Sequence, residues 1–497
     1  MKSAHTYTLE RPRSGITVPG RDAIPTDLLI GDKWVQGLGE RIEVHNPADG
    51  SVIATISNCS IEDGLAAVAA AEKAAPGWAA TPARQRAEIL RRCYDKLIAN
   101  ADWLAHLISL EMGKALVDSK SEVLYAAEFF RWYSEEAARI RGEMQDGPNG
   151  ANKILVQYQP IGISLLITPW NFPAAMATRK IAPALGAGCT VILKPAVETP
   201  LTAFAVVQVM LDAGVPPGVI NVITPKDPGP VCAAIMHDPR VRKMSFTGST
   251  AVGRKLLSVA SETVLNCSLE LGGNAPFIVF NDANIDDAVE GAMIAKMRNG
   301  GQACTAANRF YIQKGALADF TDKLTRKMAA LKMGEGTDTA TQLGPVITEK
   351  QATKIAALVD GAIKQGAKVA LGGARSNRPG YFYPATVLTD VPADAHILKD
   401  EIFGPVAAIV PFDKEEDAIR LSNATEYGLS AYLYTKDMQK GLNIAQKLEY
   451  GMVGVNRGLV SDVAAPFGGV KQSGLGREGS HHGLMEFTEC RYVAAVW

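Results

Sequence analysis

Short apolar runs alternate with longer stretches of helical pattern along the chain from residue 162 onwards. The short runs, each about five residues long, have the length and composition of buried strands. They lie at 162–168, 190–194, 218–224, 242–248 and 263–270. The stretches between them, at 173–188, 199–214, 228–239 and 249–261, are each long enough for a helix. Strands that alternate with such helices are typical of βαβ units, so this region predicts an open parallel sheet.

The regions on either side of this sheet have patterns of their own. Residues 61–140 are rich in alanine with helical periodicity, and we expect these helices to flank the sheet. A second α/β set is expected from 275 to about 455. Residues 142–160 and the tail 490–497 read as strands outside both sets, and such exposed edges normally need a partner.

Glycines mark the expected ends of two of the predicted helices. We expect one helix to stop at Gly186 and the next at Gly214, because glycine adopts the left-handed backbone that ends most helices. The alternation as a whole predicts an α/β protein with a Rossmann-like unit. A unit of that kind usually binds a dinucleotide at the carboxyl ends of its strands.

Length, charge and cysteine content narrow the class of protein. The 497 residues exceed what one hydrophobic core usually organises, so two or three domains are expected. A formal net charge of −1 gives no reason to expect nucleic acid or an anionic membrane as a partner. Residues 1–13 lack the apolar run of a secretory signal, and the chain has no apolar run of about 18 residues. Seven scattered cysteines favour a cytoplasmic protein without a disulfide framework, and no metal-ligand motif predicts a metal site.

Cys304 is framed differently from the other cysteines. It follows a predicted helix, which Asp282 or Asn284 can cap. Gly300 and Gly301 end that helix and give the backbone freedom to bring an amide N–H close to a ligand. These features suit a catalytic nucleophile, although a lone cysteine is more often a small buried apolar side chain. Both interpretations stay open on this stretch alone.

Two familiar motifs come close to matching and then fail. Residues 302–304 open like the caspase signature, but Thr305 follows them, and the nearest upstream histidine, His237, lies too far away. Gly248 and Gly253 are spaced like half a P-loop, but Arg and Lys follow where the motif needs Lys and Ser or Thr. A cysteine protease and an ATPase are therefore not expected. A glycine turn between strand and helix still suits a pyrophosphate, and a plain tight turn is the alternative.

Two further polar residues lie at predicted strand ends. Glu270 ends a very apolar strand beside Gly272 and Gly273, where burial would raise its pKa toward that of a useful base. A salt-bridged structural glutamate is the alternative. Asn171 lies in a turn fixed by prolines and offers an amide N–H to an oxyanion, although asparagine is also common in ordinary turns.

Four motifs in order resemble the aldehyde dehydrogenase superfamily. They are WNFP at 170–173, LELGG at 269–273, GQAC at 301–304 and EIFGPV at 401–406. The resemblance extends from residue 28 to residue 478. It implies an α/β fold with two Rossmann-type open parallel-sheet domains and a small β oligomerisation domain. The implied division is residues 1–141 with 161–272 for the dinucleotide, 273–471 for catalysis, and 142–160 with 472–497 for assembly into a homodimer or homotetramer.

The resemblance implies roles for particular residues. Cys304 would attack an aldehyde as a thiolate to give a thiohemiacetal, with Asn171 and the Cys304 backbone N–H holding the oxyanion. Hydride transfer to the nicotinamide would leave a thioester, and Glu270 would activate the water that hydrolyses it. The residues implied for NAD or NADP binding are Thr168, Trp170, Lys194, Val197, Gly229, Gly248, Ser249, Glu401 and Phe403.

A narrower resemblance concerns the substrate. Residues 170–180, 456–461 and 466–480 are similar to succinate-semialdehyde dehydrogenases. This implies that Arg179, Arg298 and Ser461 hold the distal carboxylate of a small anionic aldehyde. Arginine suits that role because its planar N–H groups match a carboxylate, although each arginine could instead form a structural salt bridge. Sulfolactaldehyde and glutarate semialdehyde carry anionic tails of the same kind and remain alternatives to succinate semialdehyde.

The cofactor preference depends on one departure from the family pattern. Many members that use NAD have a glutamate near the ribose hydroxyls, where this chain has Val197. Since a carboxylate there would repel a 2′-phosphate, its absence favours NADP or the use of both cofactors. The alternative is that Val197 weakens NAD binding without favouring NADP.

Replacing Val197 by Glu tests this interpretation. The new carboxylate can hydrogen-bond the ribose hydroxyls of NAD and repel the 2′-phosphate of NADP, so the NAD/NADP ratio of kcat/KM should rise about tenfold. The ratio is measured from initial rates with each cofactor at saturating aldehyde. An unchanged ratio would dismiss the argument from Val197.

Overall fold

The computed structural model of the chain describes residues 23–497. The segment 1–13, in which the sequence predicts no secretory signal, lies outside the described residues, as does the beginning of the predicted dinucleotide-binding segment, residues 1–141. Among residues 23–497, every helix is too short or too polar to span a lipid bilayer.

The first half of the described chain contains one helical run and one alternating run of strands and helices. Its elements in order are β1 Leu28–Ile30, β2 Lys33–Val35, β3 Gly39–His45, β4 Val52–Asn58, α1 Ile61–Ala80, α2 Ala83–Ala99, α3 Ala101–Met112, α4 Leu116–Glu136, β5 Glu143–Asp146, β6 Lys153–Pro160, β7 Ile163–Ile167, α5 Pro173–Ala187, β8 Val191–Lys194, α6 Pro200–Asp212, β9 Ile220–Val222, α7 Pro228–His237, β10 Val241–Thr247, α8 Thr250–Ser261 and β11 Asn266–Glu270. The strands and crossover helices predicted from residue 162 onwards are confirmed.

The second half repeats the alternation of strands and helices. Its elements are β12 Ala275–Val279, α9 Ile285–Met297, β13 Ala307–Gln313, α10 Leu317–Ala329, α11 Glu349–Lys364, β14 Lys368–Leu371, β15 Thr386–Thr389, β16 Val406–Phe412, α12 Glu415–Asn423, β17 Ser430–Tyr434, α13 Met438–Lys447, β18 Met452–Val455, β19 Gly474–Leu475, α14 Ser480–Met485 and β20 Thr488–Ala495. The second α/β set therefore begins and ends where the sequence predicts it.

The first sheet has the order β19-β11-β10-β7-β8-β9-β1-β2. Its five central strands, β11 to β9 in that order, are parallel, and the strands at both edges are antiparallel. Read from β9 to β11, the central order is that of a Rossmann unit, and it reverses between β7 and β10. Ligands of such sheets bind beyond the carboxyl ends of the two strands at the reversal, so this edge is where a site is expected.

Helices cover both faces of the first sheet. Helices α1, α7 and α8 pack on one face, and α2 to α6 pack together on the other. Strand β7 is buried along its whole length, which explains its continuous apolar run. The expectation that the helices of residues 61–140 flank the sheet is confirmed.

The predicted stop at Gly186 is wrong, while Gly214 does follow the end of its helix. Gly186 lies inside α5, which continues to Ala187 and ends at Gly188 with a left-handed φ of 98°. Helix α6 ends at Asp212, and Gly214 follows with a φ of 95°. Gly186 and Gly188 could each end the helix, since both are glycines. The helix ends at Gly188 because the Gly188 N–H donates to the carbonyls of Ala184 and Leu185 and so closes the last turn.

The second sheet has the order β14-β15-β16-β13-β12-β17-β18. All neighbouring strands are parallel except β14, which pairs with β15 in antiparallel fashion at one edge. The α/β class with two open, mainly parallel sheets, as the sequence predicts, is confirmed.

A third sheet lies apart from both. It has the order β20-β6-β5 and is antiparallel, with β20 paired to β6 from Thr488 opposite Pro160 to Ala495 opposite Lys153. It joins the two regions that the sequence predicts as strands outside the α/β sets. Strand β19, also within 472–497, instead pairs with β11 at the edge of the first sheet. Strands β3 and β4 form a separate antiparallel pair.

Glycines allow the two large halves of the chain to meet closely at residues 113–114, just before α4. A Cβ on Gly344 would overlap the carbonyl oxygen of Gly113, and one on Gly336 would overlap that of Lys114. Gly344 and Gly336 lie between α10 and α11 in the second half of the chain. The loop that carries Lys114 is therefore held by backbone contacts that only glycine permits.

A pair of glycine substitutions tests this contact. Gly344→Ala should lower the thermal midpoint, because overpacking against backbone costs about 1–3 kcal/mol. Gly361→Ala, in α11 with open space around the added methyl group, should raise it, since alanine is favoured over glycine in a helix by about 1 kcal/mol. Scanning calorimetry of both variants measures the midpoints. Shifts of the same sign would contradict the packing argument.

Candidate active site

A cleft opens beyond the carboxyl ends of β7 and β10, between the first sheet, the second sheet and α4. Many of the residues that the sequence singles out line this one cleft. They are Trp170, Asn171, Arg179, Gly248, Ser249, Arg298, Cys304, Glu401, Phe403 and Ser461. The cleft lies at the strand-order reversal, where an open α/β sheet binds its ligand.

The other singled-out residues lie beside the cleft lining rather than in it. Glu270 is buried at the end of β11, and its Oε1 lies 2.8 Å from where a Cβ on Gly468 would be. Thr168 and Lys194 are neighbours across β7 and β8, since the Thr168 N–H donates to the Lys194 carbonyl at 3.1 Å. Two more, Val197 and Gly229, lie farther along the same edge, Val197 partly buried against the core and Gly229 exposed near the start of α7.

The turn before Cys304 has a left-handed backbone at three successive residues. The φ angles of Asn299, Gly300 and Gly301 are 53°, 58° and 76°. Asn299 is held in this conformation because its N–H donates to Asp118 Oδ2 at 2.9 Å. The carbonyl oxygen of Cys304 packs so closely on Gly273 that a side chain there would overlap it. The turn and the glycine together fix where Cys304 stands in the cleft.

Helix α9 leads into this turn, and its cap is one of the two predicted. The side chain of Asn284 accepts a hydrogen bond from the Asp286 N–H at 3.1 Å and caps the helix. Asp282 instead accepts from the Thr435 hydroxyl and from the backbone of the next two residues. It therefore ties α9 to the end of β17.

Asn171 is placed to donate to an oxygen near Cys304. Its Nδ2 donates to the Gln302 carbonyl at 3.1 Å, which leaves the second N–H of that amide available to a ligand. Among residues 23–497, the backbone N–H of Cys304 donates no hydrogen bond. Two N–H donors of this kind near a nucleophile are the elements of an oxyanion hole.

The Cys304 thiol is partly exposed to the cleft but surrounded by protein. Its pKa is raised to about 12, chiefly by burial and also by the carboxylates of Glu401 and Glu270. The guanidinium groups of Arg179 and Arg298 act in the opposite direction. The thiol therefore needs a base, or a cation at closer range, to form the thiolate that attacks a carbonyl.

Glu270 has the properties of such a base. It is buried, and its Oε2 has no hydrogen-bond partner among the described residues. Burial and the nearby carboxylate of Glu478 raise its pKa well above the ordinary value, while Arg179 and Lys180 act against this. A carboxyl group with a raised pKa holds a proton more readily and is a stronger base when ionised.

Glu478 anchors two cations of α5 behind the cleft. Its Oε2 lies 2.5 Å from Arg179 Nε, and its Oε1 accepts from Lys180 Nζ at 2.5 Å. These partners, chiefly Arg179, lower the pKa of Glu478 despite its burial. The Arg179 side chain is 1% exposed and also lies 4.2 Å from the centre of the Phe467 ring. Arg179 thus forms a structural salt bridge, which is the alternative to substrate binding that its sequence left open, and it also lines the cleft.

Arg298 differs from Arg179 in having no fixed partner. It is half-buried, lines the cleft, and lies 5.3 Å from the centre of the Phe172 ring. Within residues 23–497 its guanidinium group forms neither a hydrogen bond nor an ion pair, although it interacts electrostatically with the Asp118 carboxylate. Ser461 lines the same cleft. An unpaired guanidinium beside a hydroxyl is suited to an anionic ligand.

Glu401 and Phe403 lie on a strained loop across the cleft. Glu401 Oε1 accepts from the Gly273 N–H at 3.3 Å, and burial raises its pKa to about 7. Phe403 has a φ of 55°, and the Gln351 side chain donates to its carbonyl at 2.9 Å. The Phe403 ring packs edge-on against Trp170, with ring centres 5.3 Å apart. This packing gives the cleft an aromatic wall.

Several residues around the cleft were missed by sequence reasoning. Asp118 and Glu122 lie four residues apart in α4, a spacing that places their side chains on one side of the helix, and Lys114 lies in the loop just before it. Tyr125 extends the same side into the cleft lining. The available indication was a pair of acidic residues, Asp118 and Glu122, on one side of a helix that also carries buried apolar residues. Glu478 had no such indication, because its partners lie far away in the sequence.

The charge on Glu401 gives a test of the electrostatics at Cys304. A carboxylate near a thiolate repels it and raises its pKa, so Glu401→Gln should lower the pKa of Cys304. At pH 8 to 9, above the Glu401 pKa of about 7, alkylation of Cys304 by iodoacetamide should become at least about twofold faster. Labelling of Cys304→Ala gives the background from other cysteines. Slower or unchanged alkylation would contradict this account.

Residues 34–493 of the chain match the Aldehyde dehydrogenase family. A succinate-semialdehyde dehydrogenase of Paenarthrobacter nicotinovorans is 54% identical over 442 residues, covering 89% of this chain and 98% of that protein. Succinate-semialdehyde dehydrogenase (NADP(+)) GabD of Escherichia coli is 45% identical over 466 residues, with 94% and 96% covered. A glutarate-semialdehyde dehydrogenase of Pseudomonas aeruginosa is 46% identical over 465 residues, with 93% and 96% covered.

Solved structures agree with these sequence relationships. The crystal structure of succinate-semialdehyde dehydrogenase from Burkholderia pseudomallei has a TM-score of 0.94 and 45% identity, covering 95% of this chain and 98% of that one. Betaine aldehyde dehydrogenase from Staphylococcus aureus, in complex with NAD+, has a TM-score of 0.91 and 34% identity, with 95% of each chain covered. The four motifs, the cleft they build and the match over residues 34–493 lead to one conclusion: this chain belongs to the aldehyde dehydrogenase family.

Proposed function

We propose that this protein oxidises short aldehydes that carry a distal anionic group, foremost succinate semialdehyde to succinate, with NAD or NADP. The observation that carries the proposal is the half-buried guanidinium of Arg298, which has no ion-pair partner among residues 23–497 and lies in the same cleft as Cys304. A relative named succinate-semialdehyde dehydrogenase, 54% identical over 89% of the chain, supports it.

The first step is attack of Cys304 on the aldehyde carbon. The sulfur forms a bond to that carbon, and the carbonyl oxygen becomes the oxyanion of a thiohemiacetal. The free N–H of the Asn171 amide and the backbone N–H of Cys304 are the donors for this oxygen. Each such donor typically contributes about 3 kcal/mol to the barrier reduction. The proton of the thiol passes to a base, and Glu270 is our candidate because it is buried, has a raised pKa and interacts electrostatically with the Cys304 thiol.

The residues present fit a nicotinamide dinucleotide. Lys194 is buried at the end of β8, and among residues 23–497 its ammonium group makes no hydrogen bond. Ser249 caps α8, and Gly248 before it packs so tightly on Phe246 that a side chain would overlap the ring. We therefore assign Lys194 to the ribose and the amino end of α8 to the pyrophosphate. When bound, the cofactor supplies the two-electron acceptor that turns the thiohemiacetal into a thioester.

The remaining cofactor contacts follow from position along the same edge. We assign Thr168, Val197 and Gly229 to the adenosine side, and Trp170, Glu401 and Phe403 to the nicotinamide side, because the latter three line the cleft that holds Cys304. Val197 places an apolar side chain where a carboxylate would select NAD. Use of both cofactors is accordingly included in the proposal.

Hydrolysis of the thioester completes the reaction. Glu270 takes a proton from water, the oxygen attacks the acyl carbon, and Cys304 leaves as a thiolate that regains a proton. The uncompensated Oε2 of Glu270 suits this role, since it is a buried acceptor without a partner among described residues. Glu478 nearby raises the pKa of Glu270 and so strengthens it as a base.

The anionic end of the substrate is assigned to Arg298, Ser461 and Arg179. Arg298 has no ion pair to break within residues 23–497, and Ser461 lines the same cleft. Arg179, by contrast, already forms an ion pair with Glu478. We therefore expect Arg298 to contribute more to substrate selection than Arg179. Glutarate semialdehyde is the second candidate, favoured by a 46% identical relative named for it, and a sulfonate such as sulfolactaldehyde presents oxygens of the same kind.

The division into domains follows the family resemblance, and the assembly contact follows from exposed strands. We propose that 1–141 with 161–272 bind the dinucleotide and that 273–471 form the catalytic domain. The sheet of β5, β6 and β20 exposes the side chains of β5 and most of β20, which favours 142–160 and 472–497 as the contact of a homotetramer or homodimer. The seven unpaired thiols favour a cytoplasmic protein.

Initial-rate kinetics on a small panel test the substrate. The panel contains succinate semialdehyde, glutarate semialdehyde, sulfolactaldehyde and butyraldehyde, each with NAD and with NADP. We expect kcat/KM to be highest for succinate semialdehyde. A preference for glutarate semialdehyde or the sulfonate would keep the mechanism and change the substrate, and a preference for butyraldehyde would contradict the anion site.

Arg298→Ala separates binding of the anionic tail from catalysis. The change should raise KM for succinate semialdehyde at least about tenfold, because a charge-assisted pair is lost, while KM for butyraldehyde stays near that of the unmodified enzyme. Arg326→Ala, which removes a surface arginine paired with Asp322, is the matched control. Equal increases of KM for both aldehydes would show that Arg298 is structural.

A further inference from the structure

The peptide that carries Asn171 is held by a buried lysine from another region of the fold. Lys114 Nζ donates to the Asn171 carbonyl at 2.6 Å. Asn299 Nδ2 donates to the same oxygen at 2.8 Å. One carbonyl thus receives one donor from the loop before α4 and another from the turn before the nucleophile. Both donors are buried, so water does not replace either of them readily.

A buried carboxylate fixes Lys114 in turn. Glu122 Oε2 accepts from Lys114 Nζ at 2.6 Å, and both side chains are fully buried. The other oxygen, Oε1, accepts from the N–H groups of Ala174 and Ala175, at 2.9 and 3.3 Å, in the first turn of α5. Lys114 and Glu122 therefore hold the two sides of Asn171, its own carbonyl and the helix that follows.

The surroundings leave Lys114 little freedom to serve any other purpose. Its ammonium group lies 4.0 Å from the centre of the Phe172 ring. Its backbone carbonyl is packed against Gly336, with no room for a side chain. The Lys114 side chain is fully buried and is paired with Glu122, as a lysine removed from water normally is.

We propose that Lys114, held by Glu122, is a positioning residue for the oxyanion hole: it fixes the Asn171 peptide so that the Asn171 amide meets the developing oxyanion. The inference rests on the proposed role of Asn171. Asn299 also helps to position the Asn171 peptide. Its backbone N–H donates to Asp118, and its side-chain amide donates to the carbonyls of Asn171 and Gln302. A donor displaced by a fraction of an ångström loses much of its effect on a transition state.

Two reactions of the same thiol distinguish this role from a general effect on folding. Acylation of Cys304 by p-nitrophenyl acetate passes through an oxyanion, releases p-nitrophenolate and needs no cofactor. Alkylation by iodoacetamide forms a carbon–sulfur bond and releases iodide without an oxyanion. The ratio of the two rates therefore reports the oxyanion hole alone, after subtraction of labelling in Cys304→Ala.

Lys114→Met should slow acylation at least about tenfold and change alkylation by no more than about twofold. Lys120→Met, which removes an exposed lysine of α4 paired with Asp102, should leave the ratio unchanged and is the matched control. If Lys114→Met is too unstable because Glu122 is left unpaired, Lys114→Met/Glu122→Gln removes both charges and should show the same fall in the ratio.

A double-mutant cycle with Asn171→Ala completes the test. In the Asn171→Ala background, Lys114→Met should produce no further fall in the ratio, since the group that it positions is gone. An unchanged ratio in folded Lys114 variants, equal slowing of both reactions, or independent effects of the two substitutions would overturn the proposal. If Asn171→Ala itself leaves the ratio unchanged, the role of Asn171 fails, and that failure is distinguishable from a failure of Lys114 alone.

Discussion

The carbonyl of Asn171 receives hydrogen bonds from Lys114 and from Asn299 at the place where the two sheets meet. These two hydrogen bonds bring together the main loops of the site: the turn after β7, the turn before Cys304 and the loop before α4. Gly336 and Gly344 clamp that last loop from the second half of the chain. The geometry of the oxyanion hole thus depends on contacts between segments that are remote in sequence.

The charged residues around the cleft are of two kinds, paired and unpaired. Behind the cleft, Glu478 pairs with Arg179 and Lys180, and burial together with the Glu478 carboxylate raises the pKa of Glu270 against the effect of those two cations. In the cleft itself, Arg298 has no fixed partner among described residues and can accept an anion without breaking an internal ion pair. Cys304 thus has a candidate base, Glu270, and an unpaired cation, Arg298, both close enough to act on its thiol electrostatically.

Elements with a strong local pattern could be predicted from the sequence, and partners fixed by tertiary packing could not. Strand β7 is an apolar run that remains buried over its length. The β-prone tail and the region of β6 are both predicted as strands from the sequence, although their pairing with each other is not. By contrast, Lys180 and Glu478 are 298 residues apart, and nothing local indicates that they meet. The helix end at Gly188 rather than Gly186 likewise depends on which amide closes the last turn.

Trapping of the covalent intermediate tests the central claim most directly. Glu270→Gln removes the base for hydrolysis. At pH 9, where hydroxide in solution replaces Glu270 in taking the proton of the Cys304 thiol, succinate semialdehyde with NADP should therefore leave an acyl group on the enzyme. Mass spectrometry of the digested protein should find one succinyl group on the peptide that contains Cys304. Aldehyde oxidation with Cys304 unmodified, or the acyl group on another cysteine, would contradict the assignment of Cys304 as nucleophile and Glu270 as base.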